Sequence, residues 1–312
     1  MVATLPSRRR RRRTASASRA MTAKTVRQYG RIIRHFASTR ALEVLALQAS
    51  PILGIFLGGY RIERDGVVAP GLLALGSCAL TAHIFVFNDW AGYASDLRDP
   101  LRAPHVFSRQ GIRRREVAWS AIALLVLAIV AFAAVGMPAL LFGAAIAALG
   151  FLYSGSPVLG KSTPIAASLN HLLGGTLHFL LGYTLSHTLD ANGAWIGLFF
   201  GLVFAAGHLN QEVRDYDGDL VNGIRTNAVV FGRRQAFLAS LFTFTAAYAM
   251  LTGLAAFGIL PRLLLWSSVA WLLHLAWSLH ALRRGLDFET AQWMQRRYRW
   301  LFALVGLVML AG

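Results

Sequence analysis

The sequence predicts an all-α, polytopic membrane protein: nine transmembrane helices enclosing a cavity open to the cytoplasm. Three observations carry this. The 312 residues are 56% hydrophobic and only 14% charged, and their mean hydropathy of +0.51 is that of a membrane protein rather than a soluble domain. Apolar runs of about 17–25 residues recur, the length a helix needs to cross a bilayer. Lipid offers no hydrogen-bond partners, so such runs must satisfy their own backbone as helices.

The spans fall at about 41–60, 67–88, 116–136, 137–154, 163–185, 193–210, 235–259, 263–282 and 297–312. Cationic residues in loops set orientation. With the N-terminus in the cytoplasm, only Arg61, Arg64 and Arg262 of the 31 Lys and Arg fall outside, leaving 28 inside. The predicted location is the plasma (inner) membrane, with the lipid bilayer as first partner. The single cysteine, Cys78, lies inside a span, so neither a disulfide nor a cysteine-based metal site is available.

The net charge of +17 invites a nucleic-acid reading, but the distribution argues against it. The run Arg8–Arg13 sits in a Ser/Ala/Thr-rich tail over 1–33, expected to be disordered and cytoplasmic. It reads as a topology anchor able to touch anionic headgroups. No apolar stretch follows closely enough for a secretory signal.

Seven of the 14 acids occupy two cytoplasmic windows: Asp89, Asp96 and Asp99, then Glu212, Asp215, Asp217 and Asp219. An ionised acid near the bilayer core costs roughly 2.5–3.5 kcal/mol on insertion scales, so acids at the rim of apolar spans are candidate functional groups. Asn88, Gly92 and Asp96 are spaced i, i+4, i+8, and Glu212, Asp215 and Asp219 are spaced i, i+3, i+7. Each set shares one helical face. Asp217 points elsewhere and suits solvent. Facing carboxylates with an Asn suit a hard cation such as Mg²⁺, completed by substrate phosphates. The bland alternative is acids that are solvated or paired with Arg98, Arg102 and Arg214.

The first window resembles the N-D-x-x-D-x-x-x-D motif of the UbiA superfamily of intramembrane prenyltransferases, with Asn88, Asp89 and Asp96 in place. The second, from Glu212 through Asp215 and Asp219 to Gly223, Arg225 and Thr226, resembles the family's second acidic motif and its Gly-x-Lys/Arg-Thr continuation. Val230-Phe231-Gly232 fits the same block. Tyr153-Ser154, Pro157 and Lys161 resemble the Tyr-Ser-Pro…Lys loop, and Arg40 stands fourteen residues before Gly54, as a first-helix arginine of the family does. The resemblance covers roughly residues 34–310, so 34–312 is expected to form a UbiA-like transmembrane domain.

The resemblance implies a prenyl diphosphate donor held through Mg²⁺, and transfer to a lipophilic acceptor. It implies metal ligation by Asn88, Asp89, Asp96, Asp215 and Asp219, with Glu212 as a further candidate. Asp89, Asp96, Asp215 and Asp219 would be the catalytic acids. Arg40, Lys161 and Arg225 would clamp the diphosphate, Tyr153 would face a carbocation, and Asn170 would lie near the substrate. Gly92 stands where the family has an aspartate, His105-Val106-Phe107-Ser108 replaces an Arg-Pro-Leu-like segment, and Gln211-Glu212 takes the place of the second motif's first carboxylate. These departures keep a terpene cyclase and a non-catalytic prenyl-lipid binder as alternatives. His83, His171, His178 and His208 lie in span interiors, as interhelical hydrogen-bonding groups or, for His171 or His208, as groups that orient an acceptor or take its proton.

Overall fold

The structure, a computed structural model, describes residues 8–311, with side chains from residue 28. Among the described residues there is no strand; the chain is helical throughout. Helix α1 (Arg8–Leu47) leads directly into α2 (Ala49–Leu57). The tail expected to be unstructured over 1–33 therefore lies partly outside the described residues and partly within α1.

A short α3 (Ile62–Asp65) precedes α4 (Val68–Ala91), and Gly92 separates α4 from the single turn α5 (Tyr93–Asp96). The bundle continues with α6 (Arg114–Val135), α7 (Met137–Gly155), α8 (Ala166–Tyr183) and α9 (Ala191–Val221). Then come the short α10 (Asn227–Phe231), α11 (Arg233–Ala256), α12 (Ser267–Arg284) and α13 (Phe288–Met309).

Long helices stand at all nine expected places, with α1 and α2 forming the first. Seven are long and apolar enough to cross a membrane: Gln28–Leu57, Val68–Ala91, Arg114–Val135, Met137–Gly155, Ala191–Val221, Arg233–Ala256 and Arg262–Arg284. Helix α8 carries Asn170, His171 and His178, and α13 carries Arg296, Arg297 and Arg299. Those polar residues hold both below that level of apolarity.

Helix α9 is the central strut, packed against α8, α11 and α13, while α4 packs on α6 and α7. Helices α2 and α8 touch backbone to backbone: a Cβ at Gly182 would sit 1.9 Å from the Pro51 carbonyl oxygen, and one at Gly54 would sit 2.3 Å from that of Phe179. Small residues permit this approach where helices associate in lipid. Phe179 and Phe199 are almost wholly buried in an apolar cluster with Leu251 and Met309, so they pack the core rather than line a channel.

Candidate active site

The polar residues gather where α4, α7 and α9 end and α8 begins. Helix α4 runs apolar up to Phe87 and then presents Asn88 and Asp89 in its last turn. Ser154 near the end of α7 donates to Asn88 Oδ1 at 3.4 Å. Asp89 takes both Nε (3.2 Å) and a terminal nitrogen of Arg40 from α1, a two-point ion pair. The Arg40 guanidinium also lies 5.5 Å from the Phe85 ring centre.

Arg102 joins the two acidic windows. Its Nη1 lies 3.3 Å from Asp96 Oδ1, its Nε lies 3.4 Å from Asp99 Oδ2, and its Nη2 lies 2.6 Å from Asp215 Oδ2. Asp215 also receives Arg214 at 2.7 and 2.9 Å. Burial alone would lower the Arg102 guanidinium, yet Asp215, Asp96 and Asp219 around it hold it above its ordinary value. Burial raises the Asp96 carboxyl against the pull of Arg102 and Lys161. It lowers the Lys161 amine, although Asp96, Asp219 and Asp215 draw it upward. Six groups from the loop after α4, the loop after α7 and the end of α9 thus share one electrostatic cluster: Asp96, Asp99, Arg102, Lys161, Asp215 and Asp219.

Position 92 belongs to this cluster. A Cβ there would lie 3.3 Å from Asp96 Oδ2 and 3.6 Å from Lys161 Nζ. Its φ of −77° is ordinary for any residue. A side chain there would be close-packed against the Asn88 carbonyl, at 3.0 Å, and would lead directly to Asp96 and Lys161. The Lys161 backbone is itself pinned, its N–H donating to the Tyr153 carbonyl at 2.9 Å.

Several expected residues are placed elsewhere. Asp99, an acid of the first window, meets Arg102 but is 7% exposed. It accepts from the Leu101 N–H at 2.9 Å, and its carboxylate lies against Gly218, where a Cβ would be 2.3 Å from Oδ2. It thus fastens the loop after α5 to α9. Asp217 is exposed, as expected, and pairs with Arg233 at 2.6 Å. Asn170 donates its amide to the Leu149 carbonyl at 2.9 Å, tying α8 to α7. Arg225 is exposed and makes no ion pair among the described residues.

Glu212 departs most from its expected face. It is 4% exposed and turns toward His208, whose Nε2 lies 3.0 Å from its Oε1, and toward Asn227, whose amide donates to the same oxygen at 3.1 Å. Asn227 is a hub, since its Oδ1 also accepts the Ile165 N–H at 2.8 Å and its amide donates to Ser168.

Sequence reasoning named Arg102 and Arg214 as possible partners of the acids, and both do pair with them, but it missed that Arg102 joins the two windows. The available signal was its position six residues after Asp96, next to an acid row that needs a counter-charge. Among the described residues no three Asp, Glu, His or Cys side chains close into a metal cage. The guanidinium of Arg102 stands between the acids and keeps them apart.

The model of the UbiA prenyltransferase family matches residues 52–305. The 1,4-dihydroxy-2-naphthoate octaprenyltransferase of Bacillus subtilis (strain 168) is 24% identical over 112 residues, a match covering 36% of each chain; this chain thus aligns with about a third of that relative's length. The structure of a UbiA homolog from Archaeoglobus fulgidus bound to GPP and Mg²⁺ superposes with a TM-score of 0.69 at 17% identity, covering 89% of this chain and 99% of that one. A structure of digeranylgeranylglyceryl phosphate synthase superposes with a TM-score of 0.66 at 16% identity, covering 91% and 98%. At such identities these likenesses speak to the fold, and the family match, which takes in most of the chain, decides the rest: this protein belongs to the UbiA prenyltransferase family.

Proposed function

We propose that this protein is an intramembrane, Mg²⁺-dependent prenyltransferase that moves an isoprenyl group from its diphosphate onto a lipophilic acceptor. The observation that carries this reading is Arg102, which gathers carboxylates of both acidic windows onto one guanidinium beside Lys161. In this reading all nine long helices cross the bilayer, the N-terminus is cytoplasmic and the acid cluster faces the cytoplasm.

The donor set fits Mg²⁺. Asp89, Asp96, Asp215, Asp219 and the Asn88 amide are hard oxygen ligands, and Asp96 and Asp215 face each other across the width of one guanidinium. Glu212 is left out, because His208 and Asn227 engage it. When bound, Mg²⁺ would neutralise the charge that builds on the diphosphate as it leaves.

The chain's own residues do the rest. Arg102 guards the acids and can turn its fork to phosphate oxygens, for which guanidinium geometry is suited. Lys161 points at the same space. Arg40 orients Asp89, and exposed Arg225 stands ready at the rim. The Tyr153 ring, at the lower edge of the cluster, offers a π-face to a developing allylic cation. Electrostatic groups aimed at the leaving group supply the largest share of such catalysis.

Replacing Asp89 or Asp215 by Ala should abolish diphosphate release from geranyl diphosphate in membranes containing the protein. Wild-type release rates in both variants would sink the reading.

A further inference from the structure

Below the acid cluster lies a second polar group, of which the donor chemistry uses only Tyr153. The rings of His171 (α8) and His208 (α9) stack in parallel, 3.8 Å apart and inclined by 8°. Tyr153 (α7) stands edge-on to both, at 4.9 and 5.8 Å. His208 is 4% exposed. His171 and Tyr153 are only part-buried between the three helices.

Hydrogen bonding fixes the free atoms. His171 Nδ1 is 2.8 Å from the Ala167 carbonyl. A carbonyl only accepts, so Nδ1 carries the proton, and in the neutral ring Nε2 presents a lone pair. Among the described residues no hydrogen bond to that lone pair is formed. The 3.0 Å contact from His208 Nε2 to Glu212 Oε1 is close enough for a charge pair, but it is out of line for a hydrogen bond. Both His208 Nε2 and Glu212 Oε2 remain buried without a hydrogen-bond partner. A buried carboxylate oxygen left unpaired is costly and marks a place where a further polar group would be accommodated.

We infer that His171 is the group that takes the proton from the acceptor, and that the acceptor is a lipid-soluble molecule bearing a hydroxyl, phenolic or alcoholic, as its nucleophile. This rests on the transferase reading above. The donor's C1–O bond breaks, and its electron pair leaves with the diphosphate. The acceptor oxygen bonds to C1, and its proton passes to Nε2 of His171. His208 and Glu212 are positioning residues. His208 stacks directly on His171, and the Glu212 carboxyl group lies one ring further away. Asn227 holds Glu212 in place. The titratable groups facing the stack are Tyr153 from α7, Glu212 and, further along α9, Asp215 and Asp219, with Tyr298 of α13 beside Gly207. His208 precedes Asp215 by seven residues, about 10 Å along the helix, which sets the acceptor beneath the diphosphate and within the apolar layer.

The test uses full-length protein in lipid nanodiscs, as wild type, His171→Gln and His208→Gln. One readout is Mg²⁺-dependent binding of geranyl diphosphate. The other is transfer of labelled geranyl groups into a lipid extract from cells lacking the protein, between pH 5.5 and 8.5. His171→Gln should bind the donor within two-fold of wild type, yet lose transfer by about 100-fold or more, in the range of general-base contributions. Added imidazole should restore part of the rate. His208→Gln should keep donor binding and lower the maximal transfer rate without raising the donor KM. Wild-type transfer by His171→Gln across the whole range would overturn the inference, as would parallel loss of donor binding and transfer. A wild-type protein that binds donor but labels no lipid also overturns it, whereas one that does not bind donor at all refutes the transferase reading instead.

Discussion

Arg102 is the residue on which the two acidic windows meet. Without it, Asp96 and Asp215 would face one another with no cation between them. Arg102→Ala should therefore lower the melting temperature of the purified protein in the absence of Mg²⁺, and added Mg²⁺ should recover more of that loss than it adds to wild type. Equal Mg²⁺ shifts in the two proteins would contradict this placement. Gly92 makes the complementary case: its φ suits any residue, and its Cβ direction leads to Asp96 and Lys161. Gly92→Asp should lower the Mg²⁺ concentration needed for half-maximal donor binding by about ten-fold, equivalent to about 1.4 kcal/mol. An unchanged requirement would show that the gap is not part of the metal site. The sequence showed the acids, because spacing on a helix reveals a shared face, and the resemblance to the family marked the gap at 92. It did not show that Glu212 turns away from that face, since its partners, His208 one turn before it and Asn227 fifteen residues on, are set by tertiary packing.

At the scale of elements, α8 is the helix whose placement governs the site. It begins after Ile165, a β-branched residue held at φ 67°, a strained backbone region for such a side chain. The Asn227 side chain fixes that turn by accepting the Ile165 N–H, and it also donates to Glu212. Asn227→Ala would remove the hydrogen bond to buried Glu212, at about 1–3 kcal/mol, and free the Ile165 turn. It should lower thermal stability and slow transfer together; unchanged melting would remove Asn227 as the hub. The far end of α8 is fixed by backbone contact with α2. Gly182→Ala places a methyl 1.9 Å from a carbonyl oxygen and should destabilise the fold by about 1–3 kcal/mol, the usual cost of overpacking. A chemical-denaturation series in detergent measures it. The helices themselves were legible because apolar runs of bilayer length leave little choice of structure. Helix α8 was the hardest to grade by hydropathy, since the polar residues that serve the interior also lower its apolarity.

The whole molecule is a bundle whose polar chemistry lies at one end, with its apolar bulk in the bilayer. In the proposed topology that end is cytoplasmic. In a Cys78→Ala background, Ser186→Cys should react with a membrane-impermeant maleimide on intact cells, and Ser162→Cys only after permeabilisation; the reverse pattern would invert the topology. The family fold was legible from paired motifs far apart in sequence, because both lie at span ends on the same side of the membrane. The interior group of Tyr153, His171 and His208 was legible only as scattered polar residues, since nothing in the sequence says that three helices bring them into stacking distance. The central claim is that the two acidic windows act as one diphosphate site. The most direct test is binding of geranyl diphosphate to the purified protein with and without Mg²⁺, for wild type, Asp89→Ala and Asp215→Ala. The account predicts binding by wild type only when Mg²⁺ is present, and its loss in either variant; Mg²⁺-independent binding, or wild-type affinity in both variants, would contradict it.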